Sequence, residues 1–449
     1  MECSRTVSHR LVIRNGLVAA TGAPGPATVV VEGGLVSEVV PAPGAVAPRP
    51  GDWDVDAAGR LVVPGAVDPH AHLALGALAR LAGVPGQAPA VHDRWRAALR
   101  GGLAPRADAE AIEALTAAGA AAALRAGVTC AFDLVRGAPG QAGPTLAAAH
   151  RALDALSLRA VLAHGACDAG GPGRGLEEAA ASGAFAEALA EGRPGPGGRG
   201  LVRGAAGLEG LDAASDELLA ALGPIAARHG LLASIAEDDT DLTASYFRWN
   251  RRPLDLLASL GLLGPRTVVA HGTATSAEEG RLLAGSGAVL AATPRAAAFW
   301  GTPLAPIAEL SAAGVEVVLG TDGLFPDTAY ELIAATLFNR TQARSPRGAA
   351  DLVGERLWPA TARLAERFFG GTFGVISPGA VADLVVLEWR PAVPLPDVPL
   401  GDLALLWAGA PAAWTIVAGE VRLREGRLLG IDEPALAARA RAAAARLLG

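Results

Sequence analysis

Lysine is missing altogether: all 38 basic residues of the 449-residue chain are arginine. Without an ε-amine there is no Schiff-base chemistry, no phosphate-cradling P-loop lysine, and no carbamylated lysine to bridge two metal ions. Cysteine is scarce as well. Cys3, Cys130 and Cys167 are odd in number and widely separated, which argues against a disulfide framework and leaves no Cys-x-x-Cys metal clip. No run of about 18 uncharged apolar residues occurs, so no membrane span is expected. The opening residues Met1 to Arg10 lack the apolar stretch of a signal peptide, and a cytoplasmic protein is expected. A net charge of −7 gives no reason to expect nucleic acid or an anionic membrane as a partner.

What is present is apolar and regular. Hydrophobic residues make up 51% and charged residues 18%, enough for a large core, and the length suits one large α/β unit with a satellite. Short β-branched runs at 11–13, 28–31 and 35–40 come first, with Gly/Pro turns and no helices between them. Strand-like runs then follow near 65–69, 128–133, 159–163, 201–206, 231–235, 266–270, 287–291 and 315–320. Ala/Leu-rich helical segments such as 108–126, 212–228 and 328–340 separate most of them. Eight strands alternating with helices predict a (β/α)₈ barrel, a TIM barrel. A doubly wound open sheet is the alternative, but no Gly-rich phosphate turn follows the first strand. Strand patterns return at 373–376, 383–388, 413–417 and 420–424, and a helix at about 433–447 closes the chain. The expected division is therefore a small β-sandwich from 1–64 and 372–430, a barrel over 65–371, and a C-terminal helix over 431–449.

One stretch carries chemistry. Arg60 to His72 runs an apolar strand into His70 and His72, whose i, i+2 spacing puts two imidazoles on one face. Such a pair is the beginning of a site for a divalent ion, with Zn, Fe or Mn as candidates. In a barrel of this kind the functional groups sit at the C-terminal ends of the strands. Glu237 follows the fifth strand, His271 the sixth and Asp322 the eighth. Each has a plainer explanation, as a turn residue, a loop cap or an arginine partner. Together with His70 and His72 they all fall at one end.

With these residues in view, the chain resembles the amidohydrolase superfamily, in the cytosine deaminase and TRZ/ATZ chlorohydrolase branch, and most of all its SsnA-type aminohydrolases. The likeness lies in Leu11-Val12-Ile13-Arg14-Asn15-Gly16, Pro64-Gly65 to His72, Gly127-Val128-Thr129 and Val269-Ala270-His271-Gly272. It continues through Thr293-Pro294-Arg295, Leu319 to Gly323, Gly374 to Leu384 and the closing stretch 417–433. The resemblance implies one divalent metal, a small-molecule substrate and a homodimer. It makes His70, His72 and Asp322 ligands, Glu237 the general acid/base, and His271 the group that orients the attacking water.

The chain also departs from that pattern. Where the family reads His-x-Ala-Glu on the fifth strand, this chain has Ser234-Ile235-Ala236-Glu237, and a hydroxyl is a poor substitute for imidazole as a zinc ligand. Glu209, at the end of the fourth strand, is a candidate to complete the metal shell, as is His271. A weak or absent metal is the other possibility. Ser234, His164 at the end of the third strand, and Arg295 are expected substrate contacts. After the seventh strand the polar His-Asn-Pro-x-Ser-Asn run of the relatives is replaced by Ala292-Thr293-Pro294-Arg295-Ala296-Ala297, which implies a less polar pocket. The expected activity is hydrolysis of a C–N bond in a cyclic or amidine-like small molecule. The alternatives are a noncatalytic relative using the barrel for binding or assembly, and C–Cl hydrolysis of the chlorohydrolase kind.

Overall fold

The computed structural model describes residues 10–20, 24–83, 107–169, 171–192, 200–235, 239–347 and 352–448. Five short strands come first: β1 (Leu11–Val18), β2 (Gly25–Glu32), β3 (Leu35–Pro41), β4 (Trp53–Asp56) and β5 (Leu61–Pro64). The parallel series follows as β6 (Ala66–Ala71), β7 (Val128–Val135), β8 (Arg159–His164), β9 (Val202–Gly204), β10 (Ala206–Glu209), β11 (Leu231–Ile235), β12 (Thr267–His271), β13 (Val289–Ala292) and β14 (Glu316–Leu319). The chain ends with β15 (Leu384–Leu387), β16 (Ala412–Val417), β17 (Glu420–Arg424), β18 (Arg427–Leu428) and the helix Glu433–Leu448.

The parallel strands form two sheets, β6-β7-β8-β9 and β10-β11-β12-β13-β14. An isolated bridge between Ala166 and Leu208 joins the two, and at the far edges the Asp322 N–H donates to the His70 carbonyl at 3.0 Å. The expected fourth strand is thus in two pieces, interrupted at Ala205. Gly204 explains why no side chain projects there: a Cβ would come within 2.5 Å of the Ala186 backbone in the helix Arg174–Glu191.

Side-chain alternation sorts the strands into an inner and an outer face. Phe132 and Leu134 of β7, Val161 and Ala163 of β8, Leu232 of β11, Val268 of β12, Val289 and Ala291 of β13 and Val318 of β14 meet in one buried cluster with Phe368. The intervening Leu162, Leu208, Leu231, Ala233, Val269, Leu290, Val317 and Leu319 belong to the larger cluster shared with the helices. Both sheets thus enclose the same inner core. Truncating its most deeply buried phenylalanine, Phe132, should cost about 3–5 kcal/mol.

The helices start where local chemistry allows. Asp108 accepts a hydrogen bond from the Ala111 N–H, Ser215 from that of Leu218, and Ser276 forms a capping box with Glu279. The terminal segments pair with each other, β15 lying between β5 and β16 in a single nine-stranded sheet. The expected strand at 373–376 is absent; that stretch runs irregularly through Gly374, whose φ of +71° lies outside the strand region. No helix among the described residues is long and apolar enough to cross a membrane.

Candidate metal centre

His70 lies one residue from the end of β6, and His72 is the N-cap of the helix Leu73–Leu81. Asp322 stands just beyond β14. The ligand atoms of these three residues all lie within 4.8 Å of one another. The Asp322 Oδ1 is 3.3 Å from His70 Nε2 and 3.4 Å from His72 Nε2. His72 Nδ1–H donates to the Leu134 carbonyl at 2.7 Å, which turns Nε2 towards Asp322; burial pushes the imidazole pKa down, but the Asp322 and Glu209 charges outweigh this and raise it. His70 Nε2 is buried and makes no hydrogen bond. Burial pushes the His70 imidazole down to about 4, so it is neutral at pH 7. Burial pushes the Asp322 carboxyl up, but the surrounding His70, His271 and His72 outweigh this and draw it down to about 2. Two imidazole nitrogens and a carboxylate oxygen, converging with His70 Nε2 without a hydrogen bond, fit a divalent cation.

The backbone around the trio is tightly specified. Asp322 adopts φ +56°, a left-handed conformation that aspartate tolerates better than most residues. Buried Asp68 ties β6 to that turn, its carboxylate accepting from the Thr321 N–H at 3.0 Å and the Thr321 hydroxyl at 2.5 Å. Helix Leu73–Leu81 packs backbone to backbone on the same turn: a Cβ on Gly76 would fall 1.8 Å from the Gly323 carbonyl oxygen. Arg80 on that helix donates to the Gly323 and Leu324 carbonyls at 2.7 and 3.2 Å. Buried Asp133 completes the frame by accepting from the Leu73 N–H at 2.8 Å.

His271 joins the trio through its backbone. By strand alternation its side chain should point outward with Val269, but a φ of +69° accompanies its place beside His70, ring centroids 5.0 Å apart. Its Nδ1 lies 3.0 Å from Thr293 Oγ1 and its Nε2 3.2 Å from Ser234 Oγ. The Ser234 hydroxyl, in the position where the relatives' pattern has histidine, therefore holds His271. Glu209 is the direct neighbour of Ser234 across the β10–β11 ladder, and its charge acts on His72. It is not among the three converging donors. A cleft opens here, lined by Glu209, Ser234, Arg136, Cys167 and Asp241 among others.

Two expected substrate contacts point elsewhere. His164 alternates with Ala163 and so faces the helix Arg174–Glu191, its backbone N–H donating to Ser182 Oγ and its Nδ1 3.9 Å from Glu178. Arg295 is committed to structure: its Nε donates to Glu331 at 2.5 Å, and one terminal nitrogen to the Phe325 and Asp327 carbonyls at 3.0 and 2.6 Å. Glu237 lies outside the described residues. Asp68, Asp133 and Arg80 escaped the sequence analysis. Asp68 carried a usable signal, an acidic residue inside an apolar strand two positions before His70.

Comparison with known proteins agrees with this geometry. Residues 61–422 match the Amidohydrolase family. A 5'-deoxyadenosine deaminase of Methanopyrus kandleri is 27% identical over 380 residues, covering 83% of each chain. An 8-oxoguanine deaminase of Pseudomonas aeruginosa is 30% identical over 455 residues, covering 97% of this chain and 96% of its own. Among solved structures, an adenosine deaminase from Xanthomonas campestris with bound Zn superposes with a TM-score of 0.78 at 21% identity, over 98% of this chain and 99% of its own, a likeness of fold.

Proposed function

The chain belongs to the amidohydrolase family, and from that premise we propose a divalent-metal-dependent aminohydrolase that releases ammonia from a purine-like nitrogen heterocycle. The observation that carries this reading is the convergence of His70, His72 and Asp322, with His271 packed against His70. These three residues would hold the ion, and three protein donors is the number that catalytic zinc sites use while leaving a position open. When bound, such an ion lowers the pKa of a coordinated water towards 7. The substrate classes named for the relatives, adenosine-type nucleosides and 8-oxoguanine, motivate the choice of heterocycle.

The chain's own residues divide the remaining work. Water adds to the ring carbon that carries the amino group, the C–N bond breaks, and of the water's two protons one ends on the departing amino nitrogen, giving ammonia, and the other on the adjacent ring nitrogen of the product. Glu237 is the group assigned to accept a proton on its carboxylate and return it to the departing nitrogen. His271, anchored at Nδ1 by Thr293 and packed against His70, would orient the attacking oxygen by exchanging the 3.2 Å contact of its Nε2 with Ser234 for that oxygen. Asp68, Thr321 and the Leu134 carbonyl hold the donors in place. The same reading treats the two parallel sheets as halves of one eight-stranded barrel, and 1–64 with 372–430 as its β-sandwich companion.

Ser234 favours a second reading, a relative that keeps the fold for binding alone. Metal analysis and ammonia release separate the two. Protein expressed with Zn, Fe or Mn should retain close to one equivalent of metal and release ammonia from at least one aminopurine. Less than about 0.2 equivalents of every metal would reject the hydrolase.

A further inference from the structure

We infer that Glu209 sets substrate choice, favouring a heterocycle that presents an additional N–H donor over one that lacks it. The inference rests on the hydrolase reading for the site it adjoins. Glu209 stands on β10 directly across the ladder from Ser234, whose hydroxyl meets His271, which abuts His70. It lines the cleft that adjoins Ser234. Two other polar groups of that wall have protein partners: Asp241 accepts from the Leu211 N–H at 2.6 Å, and Arg136 lies 3.1 Å from Cys167 Sγ. Glu209 Oε2 has none, although it is sealed from solvent.

A sealed carboxylate oxygen without a donor is costly, and beside a cleft a bound ligand is what can supply the missing donor. The metal trio does not include Glu209. Its place is reserved by Gly165, where even a methyl group would come within 2.7 Å of Oε2. A carboxylate lining a small cavity accepts hydrogen bonds and repels other acceptors, so amino groups and protonated ring nitrogens are the matching chemistry. A substrate edge bearing only carbonyl oxygens or ring lone pairs faces unfavourable lone-pair contacts there.

The test compares adenine with 2,6-diaminopurine, which differ by one amino group, using calorimetric binding to the full chain loaded with zinc. The diaminopurine should bind about 10–100-fold more tightly, the range of a hydrogen bond to a charged group. In E209Q that preference should fall to within about threefold while zinc content stays at the wild-type level. Gly165→Ala, which displaces the carboxylate but keeps its charge, should lose the preference as well. Equal binding of the two purines by the wild type, no binding of either, an unchanged preference in E209Q, or loss of zinc in E209Q would each overturn the inference, the last by making Glu209 a ligand. Wild-type protein that holds no metal fails the hydrolase reading instead, and zinc content reports that independently of purine binding.

Discussion

The two ends of the parallel strands bury charge in opposite ways. At the N-terminal end, Arg159 of β8 and Asp383 form a bidentate pair at 3.0 and 3.1 Å. The Ala418 N–H adds a third bond to the carboxylate at 2.7 Å, and Arg159 lies 5.1 Å from the ring centres of Phe369 and Phe373. Both members of that pair are satisfied inside the protein. At the C-terminal end, His70 Nε2, Asp133 Oδ2 and Glu209 Oε2 are buried without hydrogen bonds. A low-dielectric interior penalises unpaired polar atoms, so the contrast separates a structural ion pair from a site that awaits a ligand. Arg295 and Glu331 lie near the C-terminal end yet behave like the far pair, which is why Arg295 is unavailable to substrate.

Breaking each end should have different consequences. The largest effect is expected from Asp322→Ala or His70→Ala, which should cut hydrolysis by about 10³-fold or more with loss of bound metal, while thermal unfolding of the metal-free protein changes little. Asp383→Ala should do the reverse. It strands a buried guanidinium and should cost about 3–5 kcal/mol in a denaturant titration, with metal content retained in the folded fraction. Arg80→Ala sits between the two, because Arg80 bridges the helix after His72 to the carbonyls after Asp322. A turnover loss of about 10–100-fold is expected, larger than the change in zinc content, and Arg80→Lys should recover part of it. The smallest change sharpens the comparison: Ser234→His offers a fourth imidazole and should slow zinc loss to a chelator by about tenfold. Faster zinc loss would mean that the hydroxyl's bond to His271 matters more than an added ligand.

Much of this arrangement was legible before folding. The period-2 runs locate the parallel strands within a few residues, and 231–235 coincides with β11. His70 and His72 follow from spacing, and His271 and Asp322 from their positions at strand ends. His164 was also legible, since its parity with Leu162 on β8 puts it among the helices. The commitment of Arg295 was not, because Glu331 lies 36 residues away and only helix packing brings them together. Nor was the role of Ser234. As a type of residue it signals a missing ligand, whereas in the fold its hydroxyl holds the imidazole of His271.

The sequence by itself determined the order of strands and helices, the exclusion of lysine chemistry, and which imidazoles and carboxylates stand at strand ends, because these depend on local periodicity and residue type. Tertiary structure alone decided which of those groups converge. The left-handed conformation at His271 accompanies a side chain out of step with strand alternation, and Asp68 and Arg80 lock the turn carrying Asp322 against the helix after His72. Those bonds join segments more than 240 residues apart. A metal site made of three atoms within 4.8 Å is a property of those long-range contacts, which no local pattern along the chain encodes.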